Sequence, residues 1–132
     1  VGVDFRYDGF IGLWNESAMI KSDNLEIDMI TVGIDYTFPI ASGILVITES
    51  MFISSKQNTT TSNQTFTAFM VSLPVGMLHN VMLISSFDWD ENNTYNYLRL
   101  SSTYDNFSIN CMASINPNKV SNSFQLMFMY NH

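Results

Sequence analysis

The sequence predicts an all-β fold: an antiparallel up-and-down transmembrane β-barrel with about eight strands, in a single domain over residues 1–132. Three observations carry this reading. Apolar and polar residues alternate with a period of two along almost the whole chain, and no convincing 3.6-residue period is found. Charged residues make up only 13% of the chain, about half the share usual in soluble domains, while aromatic residues reach 14%. The C-terminal stretch SFQLMFMYNH places Phe124, Leu126, Phe128 and Tyr130 on one face, without the Lys or Pro that normally blunts an exposed sheet edge. One apolar and one polar face on nearly every strand suit lipid outside and a polar barrel interior.

The first segment, VGVDFRYDGFIGLW, reads as one strand, with Val1, Val3, Phe5, Tyr7, Ile11 and Leu13 opposed to Asp4, Arg6 and Asp8. The second, ITVGIDYTF, sets Ile30, Val32, Ile34, Tyr36 and Phe38 against Thr31, Asp35 and Thr37. Six more strands are expected at about residues 43–54, 65–75, 81–90, 94–104, 107–115 and 120–131. Residues 43–54 have no clear phase, since Glu49 shares a parity with Leu45, Ile47 and Met51, and Thr48 one with Ile44, Val46 and Phe52. The outward set further includes Phe69, Val71 and Leu73; Val81, Leu83 and Phe87; Phe107, Ile109 and Ile115. Tyr7, Trp14, Trp89, Tyr104 and Tyr130 are expected near the membrane interfaces. The stretches NESAMIKSDN and SKQNTTTSNQ read as long polar loops, against short turns at PIASG, GMLHN and Asp105-Asn106.

Several functions find no support. A formal charge of −7, with Lys21, Lys56, Lys119, Arg6 and Arg99 scattered, provides no basic patch for nucleic acid. The single Cys111 excludes an internal disulfide and any Cys-based zinc site, and its parity with Phe107 and Ile109 makes it a small apolar residue. No nucleophile elbow, phosphate-cradling loop or zincin helix is present, and His79 and His132 have no convergent Ser or Cys, so no enzyme, cofactor or metal is expected. DWDENN opens like a calcium loop, but Asn93 stands where Gly is needed and Arg99 where Glu is needed. The sequons at Asn15, Asn58, Asn63, Asn92 and Asn106 follow from an Asn-, Ser- and Thr-rich composition. Val1 already stands inside an alternating pattern, so a start in mid-structure is expected.

The terminal strand resembles the C-terminal assembly signal of bacterial outer-membrane β-barrel proteins, with Tyr130, Phe128, Leu126 and Phe124 at alternate positions back from the end and His132 where that family has Phe. VGIDYTFPIASG resembles a porin strand and its periplasmic turn. The resemblance implies a bacterial outer-membrane location, recognition by the barrel assembly machinery, and porin-like passive transport of small solutes by these strands as the C-terminal part of a larger barrel. A homo-oligomer is compatible with it. The alternation places Asp4, Arg6, Asp8, Asp35, Asp88 and Arg99 toward the lumen. Glu49 joins them because a carboxylate facing lipid is costly. That acidic balance implies mild cation preference. Two other readings stand beside this one. A complete eight-stranded barrel would be a small non-conducting anchor or adhesin. Gly12-Leu13-Trp14 is the Gly-x-Trp of the calycins, soluble barrels that carry small hydrophobic ligands.

Overall fold

A computed structural model describes residues 1–57, 60–117 and 120–130. The fold is all-β, nine antiparallel strands in one up-and-down sheet: β1 (Gly2–Asp8), β2 (Gly12–Ser22), β3 (Leu25–Phe38), β4 (Ile44–Gln57), β5 (Thr60–Val75), β6 (His79–Asp88), β7 (Asn93–Thr103), β8 (Phe107–Ile115) and β9 (Ser123–Tyr130). Each strand neighbours only those adjacent to it in sequence. Asn58, Lys119, Asn131 and His132 lie outside the described residues.

The expected first strand is in fact two. Asp8-Gly9 opens a turn closed by the Gly9 amide donating to the Ile11 carbonyl at 3.3 Å, and β2 returns beside β1 with Tyr7 opposite Leu13. Periodicity could not reveal this turn, because odd-numbered residues stay on the same face on both sides of it. Ile11 therefore sits in the turn rather than on an outward face. The two stretches read as long loops are mostly strand. β2 continues through Asn15–Ser22, and β4 and β5 extend to Gln57 and back from Thr60. Asn is depleted in strands by statistics while β-branched Thr favours them, and the backbone ladder of a long hairpin tolerates polar side chains where both faces meet water. The predicted alternation of long and short connections is thereby overturned. At the turn after β3, Gly43 has φ 94°, a left-handed conformation open to glycine.

The described chain falls into two compact units. In the unit formed by Val1–Tyr36, Ile47–Ala68 and Phe87–Asn93, register defines two faces. One carries Asp4, Arg6 and Asp8, paired with Glu16, Trp14 and Gly12, which in turn face Thr31, Gly33 and Asp35. The other carries Val3, Phe5 and Tyr7 of β1, Leu13 of β2, and Ile30, Val32 and Ile34 of β3. Trp14 donates to Glu49, which puts Glu49 on the polar face. Phe52, with Ser50 beside it in parity, then belongs to the apolar one, which fixes the phase of β4.

In the second unit, Thr37–Val46, Phe69–Ser86 and Thr94–His132, β8 and β9 pair Phe107 with Tyr130, Ile109 with Phe128, Cys111 with Leu126 and Ala113 with Phe124. The polar face pairs Arg99 with Met112 and Ser101 with Asn110. On the apolar face, His79 meets Tyr104 edge-on at 6.2 Å, Tyr104 stacks on Phe107 at 4.6 Å, and Phe107 stacks on Phe128 at 5.7 Å. Aromatic pairs at these separations add about 0.5–1.5 kcal/mol each beyond area burial.

Burial separates the two faces. Among the described residues none of the large hydrophobic side chains is buried, and Phe5, Val32, Leu126 and Phe128 are all more than half exposed. The described residues that are buried are Gly12, Gly33, Asp88, Ser108 and Asn110. All five have the parity of the polar face. In each unit the buried positions lie on the polar face.

Candidate functional site

The polar face of the first unit is organised around Arg6. Its Nε donates to both carboxylate oxygens of Asp8, at 2.9 and 3.1 Å, and its Nη2 lies 3.8 Å from Asp35 Oδ2. The guanidinium sits 5.8 Å from the centre of the Trp14 ring, within cation–π range. The indole is held in turn by its Nε1, which donates to Glu49 Oε2 at 3.3 Å. Two glycines make room for this cluster: Gly12 lies under the Asp35 carboxylate, and Gly33 under the Trp14 ring. A β-carbon at position 33 would collide with Cε2 and Cζ2 of the ring.

Asp4, Arg6, Asp8, Asp35 and Glu49 are thus brought to one face, and three of them form one ion-paired group. Asp4 stands apart from that group, opposite Glu16 on β2, and both line a groove of about 580 Å³ with Thr31 and Met51. Asp88 has the parity of this face, but its Oδ1 turns to the chain and accepts the amides of Asp90 and Glu91, at 3.0 and 3.1 Å. It closes the turn after β6, the stretch that opens like a calcium loop. Among the described residues no group of three acidic, His or Cys side chains could hold a metal ion.

Arg99 lies in the other unit. Its Nε and Nη2 donate to Asn110 Oδ1 at 3.2 and 2.9 Å. Asn110 is only 1% exposed, so removing its partner leaves a buried acceptor. Arg99→Leu should cost about 1–3 kcal/mol by urea unfolding in detergent, the penalty of an unsatisfied buried polar group. Asn110→Leu in the same background should add less than it does alone, because the stranded group is gone.

Sequence reasoning missed Trp14, Glu16 and the two glycines. Glu16 lay inside a stretch read as loop. Trp14 was expected at a membrane interface, and the structure corrects this: Trp14 shares the polar face with Arg6 and Glu49, because its strand is β2 and its register partners are Arg6 and Gly33. The usable signal was the spacing Gly12-x-Trp14 opposite Gly33-x-Asp35, in which each small residue stands directly across from a large one. Tyr104 and Tyr130 belong to the apolar face near one set of turns. Trp89 donates its Nε1 to Thr67 at 3.0 Å and packs edge-on against Phe87 at 4.7 Å. Of the terminal-strand residues, Phe124, Leu126, Phe128 and Tyr130 share the apolar face of β9.

At the β2–β3 turn, beyond the apolar rows, Lys21 and Glu26 form an ion pair at 2.6 Å. The hydrogen bond and charge of Glu26 raise the Lys21 pKa, and those of Lys21 lower the Glu26 pKa. The stabilisation from Glu26 is therefore full above the ordinary carboxylate range and lost as pH falls through its lowered value. That from Lys21 is lost as pH rises through its raised value. Amide exchange at Asp23 and Asn24, corrected for intrinsic rate, should stay level across neutral pH and accelerate only at those two extremes. Both side chains are exposed, so global stability should hardly follow.

Comparison of the chain with protein-family models, curated proteins and solved structures finds no match.

Proposed function

We propose that this chain forms the wall of a bacterial outer-membrane β-barrel that passes small solutes by porin-like diffusion, with mild cation preference. The observation that carries the reading is the inversion of burial: among the described residues the few buried ones all lie on the polar faces, and large apolar side chains such as Phe5, Val32, Leu126 and Phe128 stand exposed on the other. A soluble ligand-carrying barrel of the calycin kind needs the reverse arrangement. An apolar face left in water would be a strong aggregation liability, whereas lipid covers it at no cost. The terminal strand's alternate Phe124, Leu126, Phe128 and Tyr130 support recognition by the assembly machinery of that membrane.

Cation preference follows from charge. In the first unit the polar face carries Asp4, Asp8, Glu16, Asp35 and Glu49 against Arg6. Fixed acids along a narrow aqueous passage attract cations, and salt weakens the effect because the Debye length is about 8 Å at physiological ionic strength. The test is the reversal potential of the complete barrel protein in a planar bilayer under a KCl gradient. Cation preference should be largest in dilute salt and fall in Asp4→Asn/Glu16→Gln. Anion preference, or a chain that stays monomeric in buffer without detergent, overturns the reading.

A further inference from the structure

The groove of about 580 Å³ on the polar face of the first unit brings two kinds of ligand atom together. Asp4 stands directly opposite Glu16, and Glu16 opposite Thr31. Like charges directly opposite on a sheet destabilise it, and the ion pairs of this face, Arg6 with Asp8 and with Asp35, leave both carboxylates out. The next row is Gly2, Ala18 and Met29. Gly2 and Ala18 carry little or no side chain, so they leave a hollow beside the two acids. Met51 of β4 lines the same groove. A thioether is a soft, polarizable group suited to filling an apolar core, yet two of them stand here on the charged face of the sheet, next to the opposed carboxylates.

We propose that this groove binds a soft monovalent cation of the copper(I) type, held by the sulfurs of Met29 and Met51 and the carboxylates of Asp4 and Glu16. The donor set selects the ion. Calcium takes about six to eight oxygen ligands and magnesium a near-octahedral oxygen set, and the groove has too few side-chain oxygens for either. Zinc is held by thiolate, imidazole and carboxylate. Thioether sulfur favours copper(I). The carboxylates attract any cation, the sulfurs discriminate against potassium and sodium, and a bound positive charge removes the repulsion between Asp4 and Glu16. This rests on the reading of the polar face as wet and cation-attracting, and names the cation that one part of it retains.

The test is isothermal titration of silver nitrate, a redox-stable soft monovalent cation, into the full chain in detergent and nitrate buffer. A Cys111→Ala background removes the single thiol, which would compete. Silver should bind, and Met29→Leu/Met51→Leu should weaken binding by at least about tenfold, the lower end of what loss of an outer-sphere partner costs a metal site. Leucine keeps the volume of methionine and removes the sulfur, and Met51→Leu alone serves if the double variant fails to fold. Asp4→Asn/Glu16→Gln should weaken binding as well. Met112→Leu/Met127→Leu, on the polar face of the other unit, should leave it in place, and equimolar magnesium nitrate should not displace it. Absence of silver binding, unchanged affinity in Met29→Leu/Met51→Leu, equal loss in the two methionine pairs, or displacement by magnesium overturns the proposal. Silver binding by a chain that passes no ions would uphold the site and count against the porin reading, and conduction without silver binding would do the reverse.

Discussion

Val32→Arg should lower stability in lipid vesicles by about 2–4 kcal/mol, the cost of a guanidinium on the lipid face of a barrel near its midplane, while Thr31→Arg should be nearly neutral. The two positions are neighbours on β3 and point to opposite faces. Val32 pairs with Asn15 and stands on the apolar side between Ile30 and Ile34, with 53% of its surface exposed. Thr31 pairs with Glu16 on the polar side, where an arginine would gain a carboxylate neighbour. The contrast discriminates because water gives a different answer. An exposed valine replaced by arginine on a soluble sheet changes stability by roughly 0.5 kcal/mol or less. Urea unfolding in vesicles, followed by circular dichroism, measures both variants. Equal effects at 31 and 32 would contradict the assignment of the apolar face to lipid.

Gly33→Val should be the most disruptive single change on the polar face. The Trp14 ring occupies the space where the new side chain would go, and the obstacle is the rigid indole rather than a flexible chain end. Either the ring leaves or β2 and β3 separate. If the ring leaves, Glu49 loses its donor and Arg6 its aromatic neighbour. Overpacking of this kind costs about 1–3 kcal/mol. In a Trp89→Phe background Trp14 is the remaining tryptophan, and its emission should shift red as the indole moves into water. Gly2→Ala is the control, since a β-carbon there meets nothing nearer than the Ser17 carbonyl at 3.5 Å. An unshifted spectrum in Gly33→Val would mean that Trp14 does not lie on Gly33.

The fold class could be read from the sequence because period two survives wherever one face is apolar, as at Val3-Phe5-Tyr7 or Phe124-Leu126-Phe128. It failed at the Asp8-Gly9 turn, where a three-residue connection kept the parity and hid the reversal. It failed again at NESAMIKSDN, where polar residues on both faces look like loop but pair as strand. Glu49 was placed by the cost of a carboxylate in lipid, with no phase to support it, and the Trp14 hydrogen bond supplies the phase. The Arg6 cluster was only half legible. Asp4, Arg6 and Asp8 share a face by simple alternation, but Trp14 and Gly33 meet only once the register is known. Register depends on turn geometry, which composition does not encode.

The up-and-down order of the sheet also governs how the chain can assemble. Each strand's partners are its sequence neighbours, joined by connections of a few residues, so no pairing within the sheet requires a long loop to close. Loop-closure entropy grows with separation, and a nearest-neighbour meander keeps that term small at every step. A hairpin such as β8–β9 can therefore form first and act as a template for β7, then β6, in reverse chain order. At each stage the edge of the newest strand accepts the next strand in antiparallel register, while β9 keeps the opposite edge of the sheet. In such a nearest-neighbour zipper the first hairpin is the slow step, and the stack of Phe107 on Phe128 gives β8–β9 a cross-strand contact to hold it.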